Sequence, residues 1–139
     1  MSAKTATFKA AMIQMRSGLV PAANIDAASR LIAEARAEGA DYVQTPEMTN
    51  LLAANREQLF ATVVEEKADP SLAAFRDLAR KHALTIHVGS LAIKHTHDRA
   101  VNRGFVIDPQ GEIAARYDKI HMFDVDLGNG ESYRESNNY

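Results

Sequence analysis

The 139-residue sequence contains no cysteine and no tryptophan, and only 4 prolines and 7 glycines. Without cysteine these residues offer no disulfide, no thiolate metal ligand and no thiol nucleophile. Neither sign of charge is in excess. Sixteen Lys and Arg stand against eighteen Asp and Glu, a formal net charge of −2, which gives no field to draw in nucleic acid or anionic lipid. Long apolar runs are missing as well: Leu84–Ile93 is interrupted by His87, Gly89 and Ser90 and falls short of the roughly 20 residues of a membrane-spanning helix. The start of the chain carries Lys4 and Lys9 but no apolar stretch ending in a small-residue cleavage site, so no secretory signal is read there. The expected compartment is the cytoplasm, with no membrane and no nucleic acid as partner. What is present is ordinary: 46% hydrophobic and 24% charged residues, in the size range of one globular domain.

Periodicity divides the chain into alternating elements. The apolar run over residues 7–15 reads as a buried strand. From Asn24, a good N-cap, Ile25, Ala28, Leu31, Ile32 and Ala35 recur at helical spacing, and Gly39 supplies the C-terminal stop. A short strand over 40–45 ends at Pro46. A loop then leads to a helix over about 56–66, and Asp69-Pro70 opens a further helix running to His82. Strands follow over 84–93, 100–107 and 112–117, the last two joined by the turn Asp108-Pro109-Gln110-Gly111. Beyond Lys119 the pattern fades into polar residues that read as loop. The order predicts an α/β fold with a mixed sheet, antiparallel after residue 100.

Three features carry chemistry. Glu47 follows Pro46 at the carboxyl end of a predicted strand, where open α/β sheets bind ligands. Burial would raise its pKa and a nearby lysine would lower it, so the two together could set a general base close to neutral pH, although a carboxylate capping the next helical turn is the alternative. Lys119 lies just after the last predicted strand among Tyr117, Ile120, Met122 and Phe123, placed to hold a developing oxyanion or, less specifically, to pair with Asp118 or Asp124. The histidines 82, 87, 95, 97 and 121, with Asp98, Asp124 and Asp126, invite a metal site, but His95 and His97 have no third ligand at a recognisable spacing. No glycine-rich phosphate loop occurs.

The runs Tyr42-Val43-Gln44-Thr45-Pro46-Glu47-Met48 and Arg116-Tyr117-Asp118-Lys119-Ile120-His121-Met122-Phe123-Asp124-Val125-Asp126 resemble the nitrilase, or carbon–nitrogen hydrolase, superfamily. The opening strand 8–15, Val101-Asn102 and Ile107-Asp108-Pro109-Gln110-Gly111-Glu112 are similar to further family motifs, and the lysine run is most similar to the branch holding omega-amidase and deaminated-glutathione amidase.

This resemblance implies the N-terminal half of a four-layer α-β-β-α sandwich, with helices packed on one face of the sheet. It also implies a Glu-Lys-Cys mechanism acting on a small-molecule amide or nitrile, without metal or organic cofactor, in a protein that is a homo-oligomer at full length. Residue by residue, Glu47 matches the general base and Lys119 the oxyanion-holding lysine. Glu135 matches the second glutamate, with Glu131 as the other candidate. The family's cysteine follows in a later strand and turn, so residues 1–139 are read as one hydrolase domain that stops before its nucleophile and is inactive alone. A catalytically inactive binding or oligomerisation module and a metal-dependent hydrolase are the competing readings.

Overall fold

A computed structural model describes residues 7–128 and 130–139; Lys4 of the signal-peptide reading and Asn129 of the polar tail lie outside them. Five strands, β1 (Ala10–Met12), β2 (Tyr42–Gln44), β3 (Thr85–Lys94), β4 (Ala100–Ile107) and β5 (Ile113–Asp118), lie side by side in chain order. The pairs β1/β2 and β2/β3 are parallel, whereas β3/β4 and β4/β5 are antiparallel. Parallel neighbours need a crossover, and helices α1 (Pro21–Ala37) and α3 (Pro70–His82) provide it. Both helices lie on one face of the sheet, where Ala28, Ile32, Phe75 and Ala79 pack on Val43, Ile86, Val88, Phe105 and Ile107 in one core. This is the expected α/β fold, a mixed sheet with one helical layer.

Local chemistry explains the elements. Asp69 caps α3, its Oδ1 accepting the Leu72 N–H at 2.8 Å, with Pro70 in the first turn. Several boundaries differ from the periodicity. The helix α1 begins at Pro21 rather than after Asn24, because proline suits a first helical turn whose N–H groups have no partner. Asn24 is buried within the helix, and its amide ties Gly18 to the carbonyl of Asn50 instead of capping. The helix α2 (Arg56–Thr62) stops short of residue 66, since Val63 is extended and Glu66–Ala68 forms a separate 3₁₀ turn. The first strand keeps only three residues, its ladder to β2 closing with the Ile13 N–H on the Gln44 carbonyl.

The largest difference is at the end of the chain. The polar stretch read as loop contains a hairpin, β6 (Asp124–Asp126) paired antiparallel with β7 (Ser132–Arg134), followed by a 3₁₀ turn over Glu135–Asn137. Such short strands leave no two-residue hydrophobic alternation to read. Side chains hold them instead, with Asp124 accepting both the Ser136 N–H and its hydroxyl. Among the described residues no helix is long and apolar enough to cross a membrane.

Candidate active site

Glu47 sits in a tight turn after β2. The turn is held against β3 at a bulge between Val88 and Leu91, where Gly89 and Ser90 leave the regular ladder. Ser90 donates its N–H to the Pro46 carbonyl, accepts the Met48 N–H on Oγ at 2.8 Å and the Thr49 N–H on its carbonyl at 2.9 Å. Only glycine fits at position 89: a Cβ there would stand 2.4 Å from the Thr45 carbonyl oxygen and 2.6 Å from Pro46. Next to the glutamate, Met48 takes a left-handed φ of +53°, a conformation costly for a side chain of this kind and maintained by the surrounding bonds.

Lys119 follows β5, its N–H bonded to the Asn102 carbonyl one step beyond the β4/β5 ladder. Its Nζ lies 2.9 Å from Glu47 Oε1 and 2.9 Å from Glu135 Oε2. Glu135 begins the 3₁₀ turn after β7 and is buried, with a side chain only 7% exposed. Its backbone bonds to Phe123, and its Oε2 also accepts the Phe123 N–H, so the hairpin fixes this carboxylate over the lysine loop. Glu131 is exposed just before β7. The structure thus brings Glu47, Lys119 and Glu135 together, though they are far apart in the chain.

The charges are unequally housed. Glu47 is half exposed, and the hydrogen bond from Lys119, reinforced by Asn102, holds its carboxyl below the ordinary glutamate value. A general base poised close to neutral pH is therefore corrected: burial here is too slight to offset the ammonium, and the carboxylate is ionised throughout the neutral range. Burial works against the charge of Lys119, yet the two carboxylates outweigh it and raise its pKa. The phenol of Tyr139, packed near Met48, is pushed up mainly by burial.

Asn102 is the site residue that periodicity missed. It is 2% exposed on β4, and its Nδ2 donates to Glu47 Oε1 at 2.7 Å and reaches Glu135 Oε1 at 3.5 Å. A polar residue inside an apolar strand is the signal that could have marked it, since a buried amide demands partners. The glutamate, the lysine and Asn102 line a cavity of about 340 Å³ with Gln44, Ser90, Gly104 and Tyr117. Its floor lies on the sheet face opposite the helices, where Gly104 pairs with Tyr117.

The histidines do not gather here. His87 bonds through Nδ1 to the Tyr42 hydroxyl at 2.7 Å, and His97 stands beside Asp98 on an exposed loop. Among the described residues no three His, Asp or Glu side chains converge as a metal site would require.

Residues 9–139 match the family model described as carbon–nitrogen hydrolase. The deaminated glutathione amidase of Yersinia enterocolitica is 38% identical over 104 residues, covering 73% of this chain and 36% of that protein. The chloroplastic omega-amidase of Arabidopsis thaliana is 33% identical over 118 residues, covering 81% and 31%. The crystal structure of the C. elegans NitFhit protein superimposes with a TM-score of 0.78 at 26% identity, over 91% of this chain and 31% of that one. The chain spans less than half the length of each.

Proposed function

The chain belongs to the carbon–nitrogen hydrolase family, and from that premise we propose that it supplies the base and the oxyanion-holding cation for hydrolysis of a small-molecule amide or nitrile. The nucleophile in this reading is a cysteine thiolate provided by polypeptide outside these 139 residues, which contain none. The observation that supports it is the Lys119 ammonium held 2.9 Å from both Glu47 and Glu135 at the wall of a 340 Å³ cavity.

For an amide, Glu47 takes the thiol proton as sulfur attacks the carbonyl carbon. The carbonyl oxygen becomes negative and is stabilised by Lys119, a donor whose loss costs on the order of a hundredfold or more in rate. The carbon–nitrogen bond breaks as Glu47 passes its proton to the departing ammonia, leaving a thioester. Glu47 then draws a proton from water as that water attacks the thioester, and the carboxylic acid leaves as the thiol is restored. Glu135 accepts from the Lys119 ammonium and holds it in place.

The test is ammonia release. The purified 139-residue chain should release none from simple amides, and strong turnover would overturn the assignment of an external cysteine. A chimera joining it to the part of the Yersinia relative that the match leaves unspanned should turn over amides, and Glu47→Gln or Lys119→Ala should each abolish this. A folded chimera that binds amides without turnover would favour a binding module instead.

A further inference from the structure

Glu47 receives two hydrogen bonds, and both fall on the same oxygen. Asn102 Nδ2 lies 2.7 Å and Lys119 Nζ 2.9 Å from Oε1, while Oε2 accepts none among the described residues. We propose that Asn102 is a positioning residue that pins Glu47 by Oε1, keeps Lys119 in register through its backbone, and so leaves Oε2 as the oxygen that exchanges the proton. The inference rests on the reading of Glu47 as the base.

Three observations carry it. Asn102 is buried, so its amide must be satisfied internally, and the oxygens within reach of its Nδ2 belong to Glu47 and Glu135. It couples the two halves of the site with one residue, because its carbonyl accepts the Lys119 N–H at 2.9 Å while its side chain donates to the glutamate. It is also neutral. The cluster already holds one more carboxylate than ammonium, so an aspartate at this position would put a third carboxylate against Glu47 and Glu135. An amide supplies a donor without adding either charge.

The same burial would be met by any asparagine in a strand that merely satisfied its own bonds, and a titration separates the two roles without requiring turnover. The carboxyl carbon of Glu47 is followed by NMR against pH in the 139-residue chain, together with the side-chain amide of Asn102; Glu135, Lys119 and Tyr139 are the other titrating groups that face it. In the wild type the Asn102 amide resonances should follow the Glu47 midpoint. The midpoint should rise in Asn102→Ala, which loses the donor, and rise further in Asn102→Asp. Phe105→Leu, which loosens β4 without touching the cluster, should leave the midpoint where it is. An unmoved midpoint in both Asn102 variants would overturn the role, as would amide resonances in the wild type that ignore the Glu47 titration. The wild-type measurement decides the matter even if the aspartate variant does not fold. A failed chimera would not touch this result, and an unmoved midpoint would leave the hydrolase reading standing.

Discussion

The substitution Gly89→Ala adds a single methyl group at the point where the Glu47 turn leans on β3. The new Cβ would lie 2.4 Å from one backbone oxygen and 2.6 Å from two further backbone atoms, which cannot rotate away as a side chain could. Restoring van der Waals separation requires the turn and the strand to part by close to an ångström. Overpacking of this kind typically costs about 1–3 kcal/mol. The same movement strains the Gly89 N–H on Thr45 Oγ1 and the Ser90 N–H on Pro46, each already 3.3 Å long, and every bond lost adds about 1 kcal/mol. The sum, roughly 2–5 kcal/mol, is a large share of the roughly 5–15 kcal/mol that stabilises a domain. Urea denaturation of the chain followed by circular dichroism reads this directly, as a midpoint lowered by about 1 M or more at unchanged slope. Gly18→Ala is the internal control, because a Cβ there meets nothing within 4 Å. Equal midpoints for the two alanine variants would refute the packing argument.

Other consequences are simpler to state. Glu47 has its carboxyl held below the ordinary value near 4.5, so it stabilises the fold above that pH and loses this contribution as acid carries the pH down through its lowered folded value. Lys119→Ala should remove most of that acid-limb dependence, measured as thermal midpoints between pH 3 and 7; an unchanged profile would contradict the ion pair. Truncating the helix cap by Asp69→Ala should cost about 1–2 kcal/mol, read as a lowered thermal midpoint, while Asp69→Asn should retain most of the stability.

The fold was legible wherever apolar periodicity was strong. The helix after Asp69-Pro70 and the strands β3 and β4 follow their expected limits within a residue or two, because each buries apolar residues against one core; β5 also lies within a residue of its expected limits, though only Ile113 packs on that core and the rest is exposed. Legibility failed where polar side chains organise the backbone. Asn24 has the look of a cap and serves as a strut; Ser132–Arg134 has the composition of a loop and pairs as a strand. Glu47 and Lys119 stand out by their places at the ends of predicted strands, on one sheet edge, whereas Glu135, in a stretch without periodicity, is reached through motif resemblance alone. The partners of Asn102 needed three dimensions, although a polar residue in an apolar strand marks the position itself. Nothing in its own neighbourhood reveals that the strand delivers it beside a glutamate 55 residues earlier.

That dispersal along the chain has a kinetic side. The bonds that join Lys119 to Glu47 and Asn102 to Glu47 close loops of 72 and 55 residues, so the cluster forms only after β2, β3, β4 and β5 have found their register. Contacts of such sequence separation pay their loop entropy first and are rewarded late, which makes them slow. Glu135 is the most C-terminal member, and until it arrives the ammonium has only the half-exposed Glu47 for company. The ion cluster is therefore a marker of finished folding: a refolding chain will show helical signal well before its lysine is clasped from both sides.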